Sequence, residues 1–378
     1  MDKPKQLVIA GGGPAAIEAA LAVRRLAQER VTVTLLSAGA EFVYRPMSVG
    51  APFGRGEPQR YSLARIAEEQ GMRFVRATLR SVDAEAHRAR FDRRTIGYDA
   101  LLLALGAGAE EAVPGALTFG GESDVPAIRA ALARLHAGAP LRVAFVAAVE
   151  TAWTLPLYEL ALMTARWAAE HDLALEPWLV THEPRALALF GERASAAVAA
   201  LLDEAGVRLW TGAYAEIVED GRLWMSTEGG LPVDLAVALP RPVGRRVPGL
   251  PSDGKGFTPV DPYGRVPGID DVYAVGDMTT RPLKQGGLAT QQADAAASAI
   301  AAWAGAAVEP QPYRPVLRAV LLTGGMPRFL RHGRAEPGLP ASLAADEAPW
   351  WPPHKIAGRE LAPYLNAHPE LQLEPTVH

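Results

Sequence analysis

The chain opens on a short apolar run, Leu7-Val8-Ile9-Ala10, then Gly11-Gly12-Gly13, then an alanine-rich segment from Pro14 to Gln28. Consecutive apolar residues bounded by a glycine turn are the pattern of a strand buried on both faces. Proline in the first turn of a helix sits where its missing N–H has no helical partner, so a helix is predicted over about 14–28. The pattern then recurs. Val31 to Leu36 reads as a second strand, Ser62 to Gln70 as a helix closed by Gly71, and Met72 to Val75 as a strand. Leu79 to Ile96 alternates as a hairpin does, and Ile96 to Leu105 forms a buried strand halted at Gly106.

Further on, Leu141 to Val146, Leu155 to Ala168 and Pro177 to His182 repeat the order strand, helix, strand. Asp203 to Leu209 reads as a helix end, a turn at Gly206 and a strand. Trp210 to Leu235 reads as short strands with turns at Asp220-Gly221 and Gly229-Gly230, and Val237 to Pro242 as the return of the chain to the first domain. A helix continues from Ala293 to Ala304, Pro310 and Pro312 break it, and a strand is expected at Val316 to Leu322. Strands alternating with helices predict an α/β fold built on parallel sheets.

The first turn carries chemistry. Gly11, Gly13 and Ala16 fit G-x-G-x-x-G/A, with Pro14 and Ala15 opening the helix. Gly11 permits a tight turn, Gly13 lets the backbone approach a pyrophosphate, and Ala16 lets the helix pack close to the strand. The helix N-terminus then offers amides and a positive dipole end to the phosphates. Glycine turns also join strands to helices in proteins that bind nothing; the position between a strand and a helix favours a nucleotide. In this fold an acidic residue normally ends the second strand and binds ribose, and here Ser37 takes that place.

With 378 residues the chain is long enough for two or three domains. Its net charge of −4 gives no electrostatic case for nucleic acid. No apolar run reaches the length of a membrane span, and Met1 to Lys5 lead directly into the first strand, so a cytoplasmic protein without a signal peptide is expected. The chain has no cysteine, which removes thiolate nucleophiles, redox disulfides, iron–sulfur clusters and cysteine-ligated zinc. Its 8 histidines show no metal-ligand spacing, and no metal is expected.

Three motifs in order carry a family resemblance: the glycine turn, then Tyr98-Asp99-Ala100-Leu101-Leu102-Leu103-Ala104-Leu105-Gly106, then Val272-Tyr273-Ala274-Val275-Gly276-Asp277. The chain resembles the pyridine nucleotide–disulfide oxidoreductases, and within them sulfide:quinone oxidoreductases and type II NADH dehydrogenases. Lys284-Gln285-Gly286-Gly287-Leu288-Ala289-Thr290-Gln291 is similar to their flavin-pocket helix. The resemblance implies two Rossmann-like domains, the second inserted in the first, and a small C-terminal α+β region. The corresponding ranges are 1–109 and 246–305 for the first domain, 110–245 for the insert and 306–378 for the C-terminal region.

The resemblance also implies FAD along Gly11, Gly13, Pro14, Ala15 and Ala16, with the ring near Arg45, Pro46 and Lys284. Gly106 then approaches the adenosine side, and Gly276-Asp277 the ribityl chain. Ser37, Ala77, Ala104, Gln285 and Gly286 complete the expected cofactor set. A helix starting near Gly286 would aim its positive end at the pyrimidine edge, which gains negative charge on reduction.

The insert departs from the family pattern. Its turn, Ala147-Ala148-Val149-Glu150-Thr151-Ala152-Trp153-Thr154, lacks glycine, and its second strand ends without an acid at the tip. Side chains there would hold the backbone away from a pyrophosphate, and Glu150 would repel it. Glu159 matches the family's helix glutamate. Arg185 is a candidate for a 2′-phosphate or a plain surface arginine. Trp153, Pro156 and Tyr158 form a ligand pocket or simply pack. Trp350-Trp351 cap the flavin, seat an aromatic acceptor, close a homodimer interface, or dock a tail helix.

The expected function is an FAD-dependent oxidoreductase passing two electrons to a quinone or other small acceptor. The donor stays open, with NAD(P)H among the candidates and thiol mechanisms excluded. The alternative is a flavin-binding electron-transfer subunit. Glu150, Glu159, His182 and His354 are candidate acids or bases, and no spacing singles one out.

Overall fold

The computed structural model describes residues 3–92, 94–134, 141–226 and 229–374. Two five-stranded parallel sheets organise them. The first has the order Val272–Ala274, Ala100–Leu103, Lys5–Ala10, Val31–Ser37, Arg73–Arg76. Ala10 lies level with Leu36 on one side and Leu103 on the other, so three strand ends finish together. In open parallel sheets ligands bind in the crevice beyond such carboxyl ends.

Helix α1 (Pro14–Ala27) follows the first strand, and α2 (Leu63–Glu69), capped by Ser62, precedes Arg73–Arg76. The second sheet has the order Leu117–Thr118, Leu235–Ala238, Leu141–Val146, Leu175–Val180, Arg208–Trp210. It is flanked by α3 (Val125–Ala133), α4 (Leu155–Glu170) and α5 (Glu192–Glu204). In the chain this sheet falls between two strands of the first. An antiparallel ribbon of Gly108–Glu110 and Arg241–Val243 carries both crossings.

After α6 (Gly286–Trp303) comes a three-stranded antiparallel sheet, Leu317–Leu321, Arg328–His332 and Ser342–Ala345, and then α7 (Leu361–Ala367). The architecture is the expected α/β pair of Rossmann-like sheets with a C-terminal α+β piece. No helix among the described residues is long and apolar enough to cross a membrane.

Three local expectations are corrected. Leu79 to Ile96 is a three-stranded meander rather than one hairpin, because a second turn at Asp92, with φ of +46°, divides it. Val237 stays in the second sheet, paired with Phe145 and Leu117, and the return to the first domain begins only with Arg241. Gly229 and Gly230 open a strand, opposite Met225 and Trp224, because cross-strand pairing claims their backbone.

α1 and α6 pack on each other through faces rich in alanine, including Ala16, Ala19, Ala20, Ala293, Ala296 and Ala297. Two acids interrupt that contact. Glu18 is fully buried and accepts backbone N–H bonds from Glu360 at 2.8 Å and Leu361 at 2.7 Å. Burial and the neighbouring Asp294 push the Glu18 carboxyl up to about 8, and burial likewise raises Asp294. The folded state thus holds a proton that the unfolded chain releases in the ordinary carboxylate range. This contribution to stability is complete at low pH and is lost as pH rises through about 8. Thermal melts between pH 5 and 9 are expected to show a falling melting temperature, with a shallower fall in Glu18→Gln; parallel curves for the two proteins would contradict the assignment.

Candidate functional site

The glycine turn is shaped by close approach. Gly11 has φ of +145° and donates its N–H to Leu36 O at 2.7 Å; a Cβ there would lie 2.3 Å from the Ala104 carbonyl oxygen. A Cβ on Gly12 would lie 2.5 Å from Ser37 Oγ. Gly13 is different, because a Cβ built on it meets nothing within 4 Å. Gly11 and Gly12 are therefore required by the protein itself, whereas Gly13 borders open space. Gly13 is also the N-cap of α1, and no side chain caps that terminus. The helix start, Gly13 to Ala15, lines a cavity of about 850 Å³.

Gly11, Gly13, Pro14, Ala15, Ser37, Arg45, Pro46, Ala77, Ala104, Gly106, Gly276, Asp277, Lys284, Gln285 and Gly286 all line this one cavity. Ala16 does not, and is fully buried against the strand beneath. Gly276, at φ of +74°, donates its N–H to Gln292 Oε1 at 3.0 Å, which turns the chain so that Asp277 reaches the cavity. Burial pushes the Asp277 carboxyl up, while Lys284 and Arg45 hold it back. Gln285 caps α6 by accepting from the Leu288 N–H at 2.7 Å.

Lys284 borders the cavity, but its ammonium is engaged elsewhere. Nζ donates to Thr279 O at 2.5 Å and Arg281 O at 2.7 Å, and lies 3.9 Å from the centre of the Phe257 ring. Burial lowers its pKa to about 8 against the pull of Asp277 and Asp253. Two further cavity residues, Ser48 and Thr151, have buried hydroxyls without a protein partner. A buried hydroxyl without a hydrogen bond is costly. An elongated ligand with many polar atoms fits a cavity that combines helix N-termini, the carboxyl of Asp277 and unpaired hydroxyls.

The far end of the cavity is closed by residues distant in sequence. Lys355 Nζ donates to both oxygens of Glu159, at 2.7 and 2.8 Å, and to Pro46 O at 3.0 Å. Both side chains are buried, at 8% and 1% exposure. Burial raises the Glu159 carboxyl and Lys355 opposes the shift; the Leu322 N–H is its other donor. Ile356 lies against Gly286, where a Cβ would stand 3.0 Å from its side chain, and donates its N–H to Tyr44 OH at 2.7 Å. The family resemblance singled out Glu159 as the helix glutamate, whereas Lys355 was missed, because no local signal joins positions 196 residues apart.

The other candidates are dispersed. Glu150 and Arg185 are exposed, and His182 has a buried Nδ1 without a partner. His354 packs edge-on to Tyr44, with burial lowering its pKa. Trp350 lies edge-on to Phe329 and donates Nε1–H to His354 O, while Trp351 is 81% exposed. The tail touches the cavity through Lys355 and Ile356, not through the tryptophan pair. Glu183, three residues past Leu175–Val180, was also missed. It is buried and accepts hydrogen bonds from Thr154, Tyr158 and Thr181 hydroxyls and from the Ala188 N–H.

A glycine turn facing an open cavity, a second parallel sheet inserted in the chain and an acid at the end of the last strand define a dinucleotide-binding fold of two Rossmann-like units. The family model for pyridine nucleotide-disulphide oxidoreductases matches residues 5–299, and the chain belongs to that family. Among solved structures it is similar to the sulfide:quinone oxidoreductase of Aquifex aeolicus (TM-score 0.80, 19% identity, 90% of this chain and 86% of that one). It is also similar to a ferredoxin reductase of the CYP199A2 system of Rhodopseudomonas palustris (TM-score 0.63, 20% identity, 86% and 81%). A third is the putidaredoxin reductase of a covalent complex with putidaredoxin (TM-score 0.62, 17% identity, 88% and 82%). At these identities the likeness is one of fold. Comparison with curated proteins gives no match.

Removing one partner of a buried ion pair leaves an uncompensated charge or forces neutralisation. Lys355→Met is expected to destabilise the protein by about 3–5 kcal/mol. Lys355→Met combined with Glu159→Gln should recover most of that loss in denaturant unfolding. Equal loss in the single and double variants would show that packing, not charge, holds the tail.

Proposed function

We propose that the chain is an FAD-dependent oxidoreductase that accepts two electrons on a bound flavin and passes them to a quinone or another small acceptor. The observation that carries this reading is Gly13. It is a bare cradle at the N-terminus of α1, with space for a ligand rather than for the protein's own side chains. FAD would supply hydride and electron transfer, while the protein supplies position and electrostatics. In this reading residues 110–245 form the inserted domain.

The chain's own residues then divide the work. The leading amides of α1 hold the phosphates. Asp277 accepts hydrogen bonds from hydroxyls of the linker chain. The N-terminus of α6 places a positive dipole end against developing negative charge. Lys355 and Glu159 form a neutral pair at the wall, which excludes water without leaving a lone charge. With no cysteine in the chain, electrons pass without a disulfide relay.

The purified protein is expected to be yellow, with a flavin that dithionite reduces and a quinone analogue reoxidises. Gly13→Val should fold with an unchanged circular dichroism spectrum and lose the flavin, since the substituent occupies the cradle and not the core. A fully yellow Gly13→Val protein would overturn this placement of the pyrophosphate.

A further inference from the structure

The inserted sheet has the build of a dinucleotide domain, with its crevice where Leu141–Val146 and Leu175–Val180 end beside the N-terminus of α4. Register relates its positions to those of the first sheet. Ala10 pairs with Leu36, and Ser37 follows; Val146 pairs with Val180, and Thr181 follows. In such a domain three features face the nucleotide: the turn backbone, the leading helix amides and the polar side chain at the second strand's tip.

Here the turn and the strand tip are both withdrawn. The turn has no glycine, and its Trp153 ring packs against Phe190 at 5.9 Å. The start of α4 itself resembles that of α1: Pro156, like Pro14, donates no N–H, and the Leu157 N–H returns to Thr154 O at 2.9 Å as the Ala16 N–H returns to Gly13 O at 3.1 Å. At the tip, the Thr181 hydroxyl donates to Glu183 at 3.1 Å. The same buried carboxylate receives Thr154 Oγ1 at 2.9 Å, Tyr158 OH at 2.8 Å and the Ala188 N–H at 3.2 Å.

One carboxylate therefore bonds the N-cap of α4, its first turn and the strand tip to one another. The loop beyond is folded inward as well. Leu187, at φ of +43°, donates its N–H to Tyr158 OH at 3.1 Å. A ribose entering this crevice would have to displace satisfied, buried hydrogen bonds and offer no better ones in return. The large cavity reaches Thr151 to Glu159 on α4's side, yet none of Thr181 to Ala188 is among its lining residues.

We propose that Glu183 is a specificity-determining residue: its hydrogen-bond network closes the inserted domain to nicotinamide dinucleotides. The wall beside α4, formed by Trp153, Pro156, Val320 and the Glu159–Lys355 pair, is mainly apolar and its two buried charges cancel each other, so it offers a diphosphate no alternative seat. The closure of the crevice does not rest on the flavin reading above.

The test is calorimetric titration of the flavin-loaded protein with NADH and with NADPH up to about 1 mM, paired with anaerobic flavin absorbance. No saturable heat, and no bleaching that saturates with nicotinamide concentration, is the expected result. Saturable binding or saturable bleaching by either nucleotide overturns the proposal. Protein isolated without flavin would sink the earlier reading alone. The titration then moves to Gly13→Val, in which the first turn is blocked, and saturable heat there still overturns the closure.

A second measurement addresses Glu183 itself. In Glu183→Ala, hydrogen exchange at Ala188 and Leu187 should accelerate by about tenfold or more, as local opening becomes easier. Flavin content should stay unchanged. Exchange at the wild-type rate would show that Glu183 does not hold the crevice shut.

Discussion

The convergence of two helix N-termini on one cavity is the constraint on which the rest of the molecule depends. It requires α1 and α6 to lie close together, and their alanine faces allow this. A larger residue at Ala16 or Ala293 would separate the helices and move the glycine turn away from Gly276. Strand register does the remaining work. Ala10, Leu36 and Leu103 end at one level, so turns from separate parts of the chain open onto the same space. Each helix contributes its positive end, and Asp277 places a carboxyl beside them.

The C-terminal tail completes the cavity by a different kind of contact. It brings no catalytic motif, only anchoring points along its course. Lys355 joins it to α4 and to Pro46; the Ile356 N–H joins it to Tyr44; Glu360 and Leu361 join it to Glu18. These bonds reach all the units that meet at the cavity. The tail therefore acts as wall and tie together, and the buried Glu159–Lys355 pair is the point where inserted domain and tail meet.

Much of this was legible in the sequence because it is local. The glycine turn, the buried strands and the order of motifs each depend on a few neighbouring residues, and they identify the α/β fold and gather the cofactor candidates around one cavity. What was not legible is long-range. Lys355 finds Glu159 across 196 positions, and Glu183 takes its meaning from Thr154 and Tyr158. The second strand's tip looked empty of acid because the carboxylate lies three residues further on and turns inward. The meander at Leu79–Gly97 was misjudged for a related reason, since Asp92 adopts a turn conformation that apolar periodicity does not register.

The tail's bonds also carry a consequence for the order of events in synthesis. The contacts of Ile356, Glu360 and Leu361 with Tyr44 and Glu18 span 312 to 343 residues, almost the whole chain. Domains fold as units while the chain emerges from its N-terminus, and contacts of such separation form last. The glycine turn, both parallel sheets and α6 are complete before this wall exists. The compartment thus stays half-open until the stretch from Lys355 to Leu361 has been made and shuts it.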